Sequence, residues 1–231
     1  MKIGIIGAMA QEVTLLREHL ENQTTWQKAG ATFYQGTIGK HEVIVVQSGI
    51  GKVLASITTS LLIQQYGVAL VINTGSAGGI GAGLAVGDLV IADKLAYHDV
   101  DATVFGYQYG QVPGGMPLYY ETDHAFATLM SQAAKETKHQ VKSGLIVTGD
   151  SFIADPTTLA TILSHFPDAL ACEMEGAAIA QTAFQFDVPC LVVRAMSDTA
   201  DHDATVSFDE FIELAGKRSA EMVLHFINVC A

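Results

Sequence analysis

Short apolar runs alternate along the chain with stretches whose apolar residues recur at helical spacing. Lys2–Gly7 reads as a first buried strand, and Val13, Leu15, Leu16 and Leu20 form a helical stripe behind Glu12. Thr32–Ile38 and Glu42–Gln47 are β-rich around Gly39-Lys40, the pattern of a hairpin. Val53–Tyr66 has helical periodicity, and Val68–Asn73 is the continuous apolar run of a strand covered on both faces. Leu89–Ala96, Gln140–Thr148 and Pro189–Arg194 predict further strands, and Phe126–Ala134, Thr157–Leu163 and Glu175–Phe184 predict helices. Phe208–Val229 closes the chain as a long helix. There is no linker-like tract, repeat or low-complexity segment, so one α/β domain over 1–231 is expected. Its sheet should be mixed and twisted, with a largely parallel centre flanked by helices.

Composition narrows what such a domain can do. Of 231 residues, 49% are hydrophobic and 16% charged, enough apolar material for a core without disulfides or metal. Lys+Arg number 12 against 24 Asp+Glu, a net charge of −12, which disfavours nucleic acid and anionic membrane surfaces as partners. Leu70–Ala92 is too interrupted by polar residues and glycine to span a membrane. Cys172, Cys190 and Cys230 show no paired spacing, as expected of buried thiols in a reducing compartment. The histidines are scattered, so neither a metal nor another cofactor is expected. The whole fits a soluble, cytoplasmic protein.

In parallel sheets ligands gather beyond the carboxyl ends of strands, and four such ends carry polar residues. Gly7-Ala8-Met9-Ala10-Gln11-Glu12 puts a carboxylate just inside a helix, where it could serve chemistry or simply complement the helix end. Asn73–Gly79 reads as a Gly-rich turn that could offer backbone N–H groups and the Ser76 hydroxyl to an oxygen-rich ligand, or be a plain tight turn. It lacks the dinucleotide and P-loop patterns. Glu173-Met174-Glu175 precedes a run of small residues, as either a ligand site or an acidic helix start. Arg194-Ala195-Met196-Ser197-Asp198 ends an apolar strand; Asp198 could be a cap, but an arginine leaving such a run needs a polar partner.

These segments, GAMAQEV from Gly7, NTGSAGG from Asn73, GDSFI from Gly149, EMEGAA from Glu173 and VRAMSD from Val193, together resemble the 5′-methylthioadenosine/S-adenosylhomocysteine nucleosidase family. The resemblance extends to HDVDATVFGYQYGQVPG from His98 and runs nearly end to end, within the purine nucleoside phosphorylase-like superfamily. It implies hydrolysis of an N-glycosidic bond, releasing adenine from a 5′-substituted ribose. It also implies roles: Asp198 as acid to adenine N7 with Ser197 orienting it, Glu12 as the base for water, and Met174 and Glu175 for the ribose. Phe152 would stack on the base and the Ile153 backbone would bond its edge, although both Phe152 and Ile50 could equally be core residues. Phe208 would lie on the ribose, Ser76 and Arg194 by the water, Ala77 and Gly78 on the base side, and Met9 and Ile50 on the sugar side.

The tyrosines clustered between Tyr97 and Tyr120 suggest a surface covered by a partner, and the family resemblance implies a homodimer. Phe105, Tyr107 and Pro113 would then close the neighbour's 5′ pocket. Ala102 and Gly114-Gly115-Met116 depart from the usual family loop. Two other readings compete. A nucleoside phosphorylase would need arginines for phosphate, yet this chain has Asn73 where hexameric phosphorylases carry one, and Glu12 would repel the dianion. A non-catalytic nucleoside-binding protein would need neither an acid nor a base.

Overall fold

The computed structural model describes residues 1–137, 139–200 and 204–230. Four strands, β1 (Lys2–Gly7), β4 (His41–Gln47), β5 (Leu70–Gly79) and β10 (Cys190–Asp198), run parallel side by side. Their residues alternate between two apolar layers. Ile3, Ile5, Val43, Val45, Leu70 and Ile72 belong to one, and Ile6, Ile44, Val46, Val71 and Val192 to the other. Both layers are roofed. The first packs on α1 (Ala10–Glu18), α3 (His124–Ala134) and α6 (Ala204–Val229), the second on α2 (Lys52–Tyr66) and α5 (Gly176–Gln185). A strand covered on both faces needs apolar residues at every position, which is why these segments show runs in place of alternation.

A second parallel set, β6 (Leu89–Tyr97), β8 (Val141–Thr148) and β9 (Ala169–Glu173), runs the opposite way. β6 pairs antiparallel with β10, and β9 pairs antiparallel with β5, so β5, β10, β6, β8 and β9 close into a ring. The β5–β9 pairing uses only Gly78 and Gly79 against Cys172 and Ala171. The two strands therefore meet at their carboxyl ends, and the polar ends of both sets converge on one region. A third cluster, with Val147, Ile153, Phe166 and Cys172, packs beneath α4 (Pro156–His165) beside that region.

Most expected elements are present within a residue or two, including the hairpin of β3 (Ala31–Ile38) and β4 about Gly39, whose φ is +56°. One expectation is overturned: Asn73–Gly79 is not a turn but the second half of β5, paired with β10 along its length. Its glycines are there for space. β10 likewise continues through Asp198. Three strands had no strong pattern: β2 (Glu21–Lys28), β7 (Tyr120–Glu121) and β9. The tyrosine cluster is also reassigned in part, because Tyr97 and Tyr120 are buried in this chain's own core and Tyr109 stacks on His165. No helix among the described residues is long and apolar enough to cross a membrane.

Candidate active site

One cavity of about 100 Å³ lies where the carboxyl ends of β1, β4, β5, β8, β9 and β10 meet. β1 leads into Met9 and Glu12, β4 into Ile50, and β5 supplies Ser76, Ala77 and Gly78. The loop after β8 brings Phe152 and Ile153, the end of β9 brings Met174 and Glu175, and β10 ends with Ser197 and Asp198. Phe208, on α6, meets Phe152 edge to face, with ring centroids 5.5 Å apart. Every residue expected at the site of one chain lines this cavity except Arg194, which is 1% exposed and lies behind its wall. Phe105, Tyr107 and Pro113 do not line it. Ala8, Ser151, Cys172 and Glu173 line it as well. Ala8, Ser151 and Glu173 lie within segments that the sequence singled out, whereas nothing in the sequence pointed to Cys172.

Glu12 sits at the third position of α1 and does two jobs. Its Oε2 accepts the N–H groups of Ala8 and Met9 at 2.8 and 3.0 Å, closing the helix start as a capping box does. Its Oε1 accepts the Ser76 N–H and hydroxyl at 2.9 and 3.0 Å. All four partners are donors, the complement of a carboxylate. The side chain reaches β5 because residue 75 is glycine: a Cβ there would lie 2.6 Å from Glu12 Oε1 and 2.5 Å from Arg194 Nη1.

Asp198 is buried at the end of β10, its Oδ2 accepting the Ser197 hydroxyl and its Oδ1 the Ala200 N–H, both at 2.8 Å. Its Oδ1 would be 3.0 Å from a Cβ at Gly78. Glu12 thus hangs over Gly75 and Ser76, and Asp198 over Gly78 of the same strand. Those positions are two or three residues apart, about 7–10 Å along the strand.

Glu175 immediately precedes α5, and its Oε1 accepts the Gly51 N–H at 2.9 Å. Burial pushes its carboxyl up to about 7, against the downward pull of Arg194, and the nearby Glu173 adds to the rise. Arg194 donates to Asn73 Oδ1 at 2.6 Å, to Glu175 Oε2 at 3.3 Å, to the Ser76 carbonyl at 3.3 Å and, most closely, to Glu173 Oε2. The cavity is accordingly lined by several carboxylates, by the rings of Phe152 and Phe208, and by no Lys or Arg among its described lining residues.

Chemically, this arrangement suits a ligand with a flat apolar part, hydroxyl groups and a centre that becomes positive. Similarity to known proteins agrees with it. The sequence matches the model of the phosphorylase superfamily over residues 2–228. It is 51% identical over 229 residues to the 5′-methylthioadenosine/S-adenosylhomocysteine nucleosidase of Aeromonas salmonicida (strain A449), covering 99% of each chain. The S. pneumoniae 5′-methylthioadenosine/S-adenosylhomocysteine nucleosidase, solved with the transition-state inhibitor MT-ImmA, superposes with a TM-score of 0.97 at 50% identity and full coverage of both chains. The S-adenosylhomocysteine nucleosidase of Streptococcus pyogenes, solved with 5-methylthiotubericidin, gives 0.96 at 50% identity, covering 100% of this chain and 98% of that one. The chain belongs to the 5′-methylthioadenosine/S-adenosylhomocysteine nucleosidase family, within the phosphorylase superfamily.

Proposed function

We propose that this protein hydrolyses the N-glycosidic bond of 5′-methylthioadenosine and S-adenosylhomocysteine, and of 5′-deoxyadenosine, releasing adenine and the 5′-substituted ribose. The observation that carries the reading is that Glu12 and Asp198 line one cavity, held against positions two or three residues apart on β5. A base and an acid set apart in one cavity, with a water between the base and the sugar, make the arrangement of single-displacement glycoside hydrolysis.

In this mechanism Asp198 gives a proton to adenine N7 as the bond from C1′ to N9 breaks, so the purine leaves neutral. Ser197 holds the Asp198 carboxyl in place. The ribose becomes oxocarbenium-like, and Glu175, whose hydrogen bonds to the sugar hydroxyls anchor it, also stabilises that positive charge. Glu12 takes a proton from water as its oxygen attacks C1′, with Ser76 orienting the carboxylate. Phe152 stacks on adenine, the Ile153 backbone bonds its edge, and Phe208, Met9, Ile50 and Met174 enclose the sugar.

Phosphate is a poor fit for the water position. The described cavity lining includes Glu12, Glu173, Glu175 and Asp198 but no cation, and Asn73 is committed to the Ile6 carbonyl and to Arg194. A dianion there would face these carboxylates with no cation among the described lining residues to receive it. Adenine release in phosphate-free buffer tests the class: turnover should be unchanged when phosphate is added, and a requirement for phosphate would make the enzyme a phosphorylase.

The exposed apolar surface supports a homodimer. Val53, Leu54 and Ile57 on α2, and Val104 and Phe105, 84% and 80% exposed, lie uncovered in the single chain. Phe105, Tyr107 and Pro113 would then complete the partner's 5′ pocket, and the three buried free thiols suit a cytoplasmic setting.

Gly75→Ala gives a further check on the site's spacing. The added Cβ would push apart Glu12 Oε1 and Arg194 Nη1. A displacement near 1 Å predicts a fall of about 100-fold in kcat/KM with the far-ultraviolet spectrum unchanged. Activity within threefold of the parent would show that the close approach at Gly75 is not needed.

A further inference from the structure

Glu173 has no part in these steps, yet four donors converge on its carboxylate, which is 2% exposed. Its Oε2 accepts the N–H groups of Glu175 and Gly176 at 3.0 and 2.7 Å, and a short hydrogen bond from Arg194 Nη2. Its Oε1 accepts the Thr148 hydroxyl, whose oxygen in turn accepts the Ala177 N–H at 2.8 Å. This carboxylate is pinned to three elements, β8, α5 and β10.

Arg194 Nη2 has two hydrogens but three acceptors around it. Asn73 Oδ1, at 2.6 Å, and Glu173 Oε2 hold the short contacts, and Glu175 Oε2 is left at 3.3 Å. Asn73 cannot swing away, because its Nδ2 donates to the Ile6 carbonyl at 3.0 Å. The other oxygen of Glu175 is held by the Gly51 N–H. The oxygen left with only the long contact to Arg194 therefore belongs to a residue that lines the cavity.

We infer that Glu173 is a positioning residue for the sugar: by occupying Arg194 it keeps Glu175 Oε2 free to accept hydrogen bonds from the ribose hydroxyls. The inference rests on the nucleosidase reading. It also explains why one arginine faces several carboxylates. Glu173 absorbs the guanidinium charge, and Glu175 and Glu12 keep theirs for the sugar cation. With a neutral side chain at 173, the acceptor there no longer carries charge, and the guanidinium is drawn to the carboxylate of Glu175, which shortens the 3.3 Å contact and withdraws that oxygen from substrate.

The test compares the parent with Glu173→Gln, Glu175→Gln and the double variant, reading kcat and KM for 5′-methylthioadenosine and the Kd of adenine. Gln keeps the size of the side chain and an acceptor for the α5 N–H groups. Glu173→Gln should lower kcat/KM by about 10- to 100-fold, the scale of one charge-assisted hydrogen bond. Adenine, which has no ribose, should bind within about twofold of the parent, and the double variant should lose no more than Glu175→Gln alone. Additive losses, or adenine binding that weakens in step with the nucleoside, would mean that Glu173 supports the fold of the site generally. Should Glu173→Gln fail to fold, a crystal structure of the unmodified protein with a ribosyl ligand reads the same claim. Glu175 Oε2 on a ribose hydroxyl, with Arg194 on Glu173 and Asn73, supports it; Arg194 closed onto Glu175 Oε2 overturns it. A parent that releases no adenine overturns the nucleosidase reading and this inference with it, whereas an active parent with additive losses overturns this inference alone.

Discussion

Asp198→Asn is expected to lower kcat for 5′-methylthioadenosine by about 10²–10⁴-fold while the protein stays folded. The amide matches the carboxyl in shape. Its oxygen can still accept the Ala200 N–H, and its nitrogen can donate to Ser197 Oγ, so these two contacts survive with the hydroxyl turned round. What is lost is the proton for adenine N7, without which the purine must leave as an anion. The loss should fall on kcat and leave KM and adenine affinity near the parent's, because the proton matters only as the bond breaks. Steady-state adenine release, beside a binding titration with adenine, checks this. A variant that turned over within tenfold of the parent would remove Asp198 from the acid's role.

Glu12→Gln should cost a similar factor of about 10²–10⁴ in kcat, with a loss of stability that Asp198→Asn does not share. Three of the four donors around Glu12 are backbone N–H groups, which cannot accept from an amide NH₂. With the Gln nitrogen turned to Ser76, the hydroxyl can turn round to accept from it, and the Ser76 N–H loses its acceptor; turned the other way, the nitrogen faces the Ala8 and Met9 N–H groups. At least one backbone N–H is left unpaired, for about 1–3 kcal/mol. A thermal melt run beside the kinetic assay therefore separates the two jobs of this residue. Lower melting with activity retained would leave Glu12 as a helix cap alone.

What the sequence reveals here follows from how the chain is buried. β1, β4, β5 and β10 are covered on both faces, so their composition alone announces them, and the helices over them carry a stripe. β2 escaped notice because it pairs only with β3 at the sheet edge, and of its residues only Trp26 is even half-buried. β9 has just five residues, and no apolar period can be read over so short a span. The glycines of 75–79 look like a turn because turns are the commoner use of glycine. Their actual use, letting Glu12, Arg194 and Asp198 come close to a strand, depends on residues far away in sequence.

The candidate site was legible for a different reason. The carboxyl ends of β1, β5, β9 and β10 carry polar residues where apolar runs stop, and the resemblance to a family tied those ends together. Which carboxylate takes up Arg194 was not legible. Glu173 and Glu175 look alike in EMEGAA, and only the contacts to Thr148, the α5 N–H groups and Asn73 tell them apart. That no Lys or Arg is among the described lining residues was also hidden, since Arg194 is visible in the sequence but its burial behind the wall is not.

The central claim is that Asp198 and Glu12 work from opposite ends of one sugar–purine bond, and the configuration of the sugar product tests it most directly. Proton spectra taken in the first moments after mixing excess enzyme with 5′-methylthioadenosine in phosphate-free buffer should show the α-anomer of the thioribose, formed by water entering opposite the departing adenine. A product that first appears as the β-anomer, or as an equilibrium mixture from the earliest spectrum, would contradict a base and an acid placed on opposite faces.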